Sequence, residues 1–552
     1  MSVKHYGIFL AYAPTVDLRN QGLGRYLAAF LKGAADRDDL HFVLVCPSWS
    51  GKELQALLAS EGVPRDRYEI RSPGQKPIVL RGFEAYQAYQ KRPRKKPLRQ
   101  RLIDWSHQTR VAAMRRIEER LAQAYSFSAL LPLLLGLVIL ALIALILSPI
   151  GLIAMMVFLS GRLVRRAIQR IARPLFGLTG RLQRALRHPK EDGLVLRLYQ
   201  LMDKAESNRM LQLIDELRHV RAWYSPTAFW PAFNEIRAPR LMCVPDVVLA
   251  EFPVGFSHVG GDRFLANFAS VESAILSGQN FVTYSDSVKW ETLVDRYAVP
   301  AANVAVIHHA PNDLAPWIAV SGFADIHAAT RRYCETLFVR ALGKSSNPDY
   351  ARTFFNRSAR FLFYASQFRP NKNLIALLSA YEYLLRRRLI GHKLILTGKP
   401  HAWPPIEKFL ADHHLENEVL CLHGLEIQEL AACYKLADLA VNPSLSEGGC
   451  PFTFTEALSV DTPVVMARIP VTEEVLTDPE LQEMTFFDPY DWKDMAHRIE
   501  WALSHRDELL AAQRRTYADL AQRSWTDVVN EHIAVLDRIA TAGSQPGDVK
   551  AA

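Results

Sequence analysis

The stretch of sequence richest in chemistry lies between Asn442 and Ser459. Two carboxylates, Glu447 and Glu456, flank a loop made of Gly448, Gly449, Cys450, Pro451 and Phe452. Ionised carboxylates only accept hydrogen bonds, which suits them to sugar hydroxyls. Adjacent glycines let a backbone approach a ligand closely. A helix beginning near Phe454 would turn unpaired N–H groups and the positive end of its dipole toward the same loop, an arrangement suited to a diphosphate.

Positioning such a loop requires a strand before it and a helix after it, and the sequence alternates in that way over most of its length. In the N-terminal part, Tyr6–Tyr12 and His41–Cys46 read as apolar strands, with Gly24–Lys32 and Lys52–Ser60 as helices. Strands are expected again at Leu241–Leu249, Phe281–Ser285 and Val304–Ile307. The C-terminal part repeats the scheme. Strands Arg360–Ala365, Lys393–Thr397, Val419–His423, Leu439–Asn442 and Pro463–Met466 alternate with helices Asn373–Arg387, Ile427–Leu436 and Phe454–Ser459. Strands separated by helices imply parallel, doubly wound sheets. The predicted class is therefore α/β, two facing Rossmann-like domains, and ligands of such sheets bind beyond the carboxyl ends of the strands.

The region around the two glutamates resembles the signature of glycosyltransferase family 4, retaining enzymes of the two-domain GT-B fold. The run Leu425–Asp438 before it and Asp461-Thr-Pro-Val-Val after it extend the resemblance. It implies that Glu456 holds the donor ribose and Glu447 the transferred sugar, although eight residues rather than the family's seven separate them here. The loop Ala365–Leu374 is similar to the family loop whose Arg and Lys neutralise the donor diphosphate as it leaves. Lys372 takes the lysine position. Gln367 stands where the family has arginine, so Arg369 is the expected second cation. Gly22 and Gly24, after the first strand, resemble the N-terminal glycine loop that lies against donor phosphate and acceptor. Cys243–Pro253 resembles the segment carrying His-Asp near the reaction centre, but Pro245 occupies the histidine position. Asp246 is left as the candidate to orient the acceptor or act as base. His308 and His309 fall at the expected crossover, where histidines are more often structural.

Charge locates a third feature. The chain has a formal net charge of +9, yet residues 81–190 hold 21 Lys/Arg against four acids, and the remainder is net acidic. Nucleic-acid binding is not expected, because neither interleaved aromatics nor a recognition motif accompanies the basic stretch. Residues 126–161 contain no charge and are rich in Leu, Ile and Val, with Ser148-Pro149-Ile150-Gly151 near the middle. The run exceeds one membrane span and falls short of two. Basic flanks on both sides place both ends on the cytoplasmic face, so a re-entrant hairpin is expected, resting on anionic headgroups. The six scattered cysteines show neither ligand nor disulfide spacing and read as reduced thiols.

These readings give an N-terminal acceptor domain at 1–80 and 211–320 and a basic helical insertion at 81–210. A nucleotide-sugar domain follows at 321–524, then a C-terminal helix at 525–540 expected to pack back, and a disordered tail at 541–552. The expected activity is metal-independent, retaining transfer of a hexose, mannose as a first guess. The donor would be a GDP- or UDP-linked sugar, with no further cofactor, and the acceptor a lipid-linked or growing polysaccharide at the cytoplasmic face of the cell membrane. The rival is a catalytically silent relative acting as a membrane scaffold in polysaccharide assembly.

Overall fold

The computed structural model describes residues 3–14, 22–91, 135, 139, 194–260, 262–347 and 360–542. The chain divides into two compact units, Met1–Gln75 with Leu201–Ala552, and Lys76–Gln200. Of the second unit the structure describes the helix Ile78–Lys91 and the start of the helix Leu194–Glu216. The hairpin expected at 126–161 lies outside the described residues, apart from the exposed, helical Leu135 and Ile139, as does the expected tail from 543 onward. Among the described residues no helix is long and apolar enough to cross a membrane.

The first unit contains two all-parallel sheets. The first is ordered β3-β2-β1-β4-β5-β6-β7, with β1 Lys4–Phe9, β2 Leu40–Val45, β3 Tyr68–Arg71, β4 Ala222–Ser225, β5 Arg240–Cys243, β6 Phe281–Thr283 and β7 Val304–Val306. The second is ordered β10-β9-β8-β11-β12-β13, with β8 Phe361–Tyr364, β9 Lys393–Thr397, β10 Val419–Leu422, β11 Leu439–Asn442, β12 Val464–Ala467 and β13 Phe486–Phe487. Their strands are apolar on both faces, as expected of parallel strands covered by helices: in β8, β11 and β12 every residue is buried. The order reverses at β1/β4 and at β8/β11, and such switch points are where α/β sheets open a crevice.

Several boundaries differ from the sequence expectation. The strand expected to run to Leu249 stops at Cys243, and Val248–Glu251 forms a single helical turn. Pro245 has no N–H to offer a ladder, so pairing cannot continue through it. Residues 201–210, expected in the insertion, belong to the first unit. There Glu206 is buried and accepts from the Ser48 amide (2.6 Å), and Met210 is fully buried. Leu314 and Ile318 sit in the core of the second sheet, so the chain has passed to that core before residue 320.

The helix Trp525–Ala542 returns to the first sheet. Val528, Val529, Ile533 and Leu536 are buried against Leu27, Phe30 and Tyr224, each worth roughly 1.5–3 kcal/mol of hydrophobic burial. Asp537 receives hydrogen bonds from Tyr6 Oη (2.6 Å) and Lys4 Nζ (2.7 Å). At Gly33 a Cβ would lie 2.3 Å from the Trp525 carbonyl oxygen, so only glycine permits this helix crossing.

Candidate functional site

The loop after β11 is held from within. Asn442 Oδ1 accepts from the Ser444 amide (3.2 Å), and Leu445 N donates to the Asn371 carbonyl (2.8 Å). Ser444 Oγ donates to the Ser446 carbonyl (2.9 Å). The helix Phe452–Leu458 starts two residues earlier than expected, with the extended Pro451 as its N-cap. Glu456 on this helix is buried and accepts from Asn312 Nδ2 (3.2 Å). Burial raises its pKa, opposed by the charge of Arg25 and the bond from Asn312.

The loop after β8 supplies the cations. Pro370–Lys372 forms a 3-10 turn, and Asn373 takes the left-handed conformation before the helix Leu374–Arg387 begins. Asparagine is one of the few residues that visits this region readily, and Asn373 Nδ2 is fixed to the Pro489 carbonyl (2.7 Å). The turn points Lys372 Nζ at Glu447 Oε1 (2.7 Å) and Ser444 Oγ (3.2 Å). Burial alone would lower the pKa of Lys372, but the Glu447 carboxylate together with Tyr364 and Asp246 outweighs it and the value is raised. Arg369 Nη2 donates to Gln367 Oε1 (2.6 Å), so Gln367 holds the guanidinium of Arg369.

The first sheet meets this loop at close range. A Cβ on Gly448 would lie 2.2 Å from the Pro245 carbonyl oxygen, and one on Gly449 would lie 2.8 Å from Tyr284 Cβ. The Gly448 carbonyl accepts from Ser285 Oγ (3.2 Å). The His309 and Phe452 rings meet at a 30° tilt with centroids 4.5 Å apart, and burial drops the His309 pKa to about 4, leaving a neutral ring. Half-buried Asp246 is pushed up to about 6 by burial; Lys372 opposes this, and the charges of Glu251 and Glu447 add to it. The Cys450 thiol is pushed up to about 12 by burial, which removes it as a nucleophile.

A cleft of about 500 Å³ joins these elements, within the range of small-ligand sites. Gly22, Arg369, Lys372, Glu447, Phe452 and Glu456 line it. Gly24 is buried in the first helix. Asp246, Gly448, Gly449, Cys450 and Pro451 are not among its lining residues. One group among the described residues has metal-ligand geometry: atoms of Asp286, His308 and Glu474 lie within 4.8 Å of one another. The Glu474 carboxylate there already accepts from the amides of Asp286 (2.9 Å) and Ser287 (3.2 Å).

Residues 348–519 match the family model of the glycosyl transferases group 1. The chain is 32% identical over 111 residues to the O-antigen chain mannosyltransferase RfbU of Salmonella typhimurium, covering 19% of this chain and 30% of that protein. It is 28% identical over 185 residues to the MMP alpha-(1->4)-mannosyltransferase of Mycolicibacterium hassiacum, covering 32% and 43%. It thus spans less than half the length of either relative. Among solved structures, Anabaena HepE in complex with UDP and glucose superposes with a TM-score of 0.52 at 11% identity, over 97% of this chain and 100% of that one. The N-terminal domain of trehalose-6-phosphate phosphatase from Candida albicans gives 0.54 at 10%, over 98% and 97%. The architecture is the GT-B fold.

On the GT-B frame, residues that motif reading passed over become visible. Arg25, in the first turn of the helix Gly22–Gly33, lines the cleft, as does Asn312 from the crossover. Thr397, Gly398, Lys399, His423 and Gly424, from the ends of β9 and β10, line it too. None belongs to a repeated spacing. For these five the available signal was position alone, at the end of a strand of a parallel sheet.

Proposed function

We propose that this chain is a membrane-associated, retaining glycosyltransferase that passes a hexose, mannose in the first instance, from a nucleotide sugar to a lipid-linked or growing polysaccharide acceptor at the cytoplasmic face. The observation that carries the reading is the meeting of Lys372, Arg369, Glu447 and Glu456 on one cleft. The two cations receive the diphosphate, Glu456 the ribose hydroxyls and Glu447 the sugar. An acceptor hydroxyl approaches C1 on the face the diphosphate leaves. The C1–O bond to phosphate breaks with its electron pair moving to the phosphate oxygen, where the cations stabilise the charge. The acceptor proton passes to that oxygen or to Asp246, whose pKa near 6 suits a base at neutral pH. The cationic loop carries the charge that a metal carries in other transferases. Mannose is supported by the two mannosyltransferase relatives. The membrane is supported by the uncharged run 126–161 between basic flanks.

The test is calorimetric titration of the detergent-purified protein with UDP, GDP and ADP, beside Glu456→Ala and Lys372→Ala. Binding of one nucleotide, lost in both variants, is expected. A folded wild type that binds none of the three would sink the enzyme reading and favour the scaffold.

A further inference from the structure

Asn312 lies on the segment that joins the two sheets, and it is tied to the helix Phe452–Leu458 twice. Its amide donates to Thr455 Oγ1 (3.4 Å) and its side-chain Nδ2 to Glu456 Oε1 (3.2 Å). Two residues on, the Leu314 amide donates to Ser459 Oγ (3.0 Å). Backbone bonds therefore hold the crossover along the helix, leaving the Asn312 side chain for a separate task. Glu456 is buried and lies on the wall of the cleft, as does Asn312. A carboxylate has two oxygens, and a donor held to one of them sets which way the other faces.

Resting on the nucleotide-sugar reading, we propose that Asn312 is the positioning residue for Glu456. It occupies Oε1 so that Oε2 meets the ribose hydroxyls of the donor. An amide is suited to this, since it donates without adding a charge that would compete for the carboxylate. Because the same residue belongs to the crossover, ribose recognition is built from both halves of the fold. A structural residue would move the affinity for every nucleotide alike. A residue that aims Glu456 moves only the part that depends on the ribose hydroxyls.

The experiment compares, by calorimetry, the nucleoside diphosphate that the wild type binds with its 2′,3′-dideoxy analogue. The wild type is expected to prefer the ribonucleotide by roughly tenfold, the scale of a lost hydrogen bond to a charged group. Asn312→Ala compresses that preference to about threefold or less while binding the dideoxy form as the wild type does. Asn312→Gln, which keeps the donor, restores part of it. Asn312→Leu, of similar size without N–H groups, reads the same loss if alanine compromises folding. Equal weakening of both nucleotides, or an unchanged preference, overturns the assignment and leaves the enzyme reading standing. A wild type that binds nucleotide without preferring ribose overturns the assignment through Glu456. A wild type that binds no nucleotide overturns the assignment together with the function on which it rests.

Discussion

Lys372 and Glu447, which sit 75 residues apart in sequence, form an ion pair of 2.7 Å across the floor of the cleft. The cation assigned to the diphosphate and the carboxylate assigned to the sugar are therefore one electrostatic unit before any donor arrives. Each holds the other in place, and each is about one-fifth exposed, so neither is screened as a surface charge is.

Removing either partner leaves the other charge uncompensated. Lys372→Met is expected to lower kcat by about 10²–10³-fold, the scale of one lost transition-state donor, and Glu447→Gln by a similar factor. The double variant should lose far less than the product of the two, because groups in contact act together. Steady-state kinetics of the four proteins reads this directly, and simple multiplication of the losses would show the pair to be independent.

Asp246 gives a pH dependence of defined sign. Its folded pKa of about 6 lies above the ordinary carboxylate value, so activity that needs the carboxylate rises as pH increases through 6. Asp246→Asn should flatten that limb. The same shift means that the folded protein binds the proton more tightly than the unfolded chain. Stability from this group is thus fully present at low pH and is lost as pH rises through the window from about 4 to 6. Thermal melts should show Asp246→Asn gaining on the wild type at pH 7.5 and converging with it near pH 4.

The glycines expected at the donor site separate into two kinds. Gly448→Ala must displace either its own loop or the Pro245 backbone, since its Cβ would lie 2.2 Å from that carbonyl oxygen. Overpacking of this sort costs about 1–3 kcal/mol, and activity should fall sharply together with the melting temperature. Gly22→Ala meets no atom of the described residues within 4 Å, so their packing should be untouched. A loss of activity in Gly22→Ala at unchanged melting temperature would mark space that the ligand itself occupies.

The returning helix is a stability element. Leu536→Ala, at a fully buried position, is expected to cost about 2–5 kcal/mol and to lower the urea midpoint without changing KM for the donor.

Much of this was legible in the residues. Helix Ile427–Leu436 and strands β9 and β11 fall where the pattern places them, because capping glutamates and unbroken apolar runs mark both ends. Glu447, Glu456 and Lys372 were visible as charges beside glycine in strand-to-helix loops. Short strands were harder. β3, β4 and β13, two to four residues long, were not expected; β3 mixes Glu69 and Arg71 with its apolar residues, so no unbroken apolar run marks it. Pro245 ended a strand that hydropathy alone continued. Asn312 and Arg25 carry no local signal, since what defines them is a partner more than a hundred residues away.

The helix Trp525–Ala542 also sets an order of events in biosynthesis. The first sheet's last strand, β7, ends at Val306, yet its core is completed by Leu536. At ~5–20 residues per second of synthesis, the ribosome works for roughly ten to fifty seconds between making one and the other. Throughout that interval Leu27, Phe30 and Tyr224 wait without their covering helix, while the second sheet and its own core residues, up to Leu510, are being made. The half of the protein whose strands are made first is thus completed only after the second sheet's strands have been made.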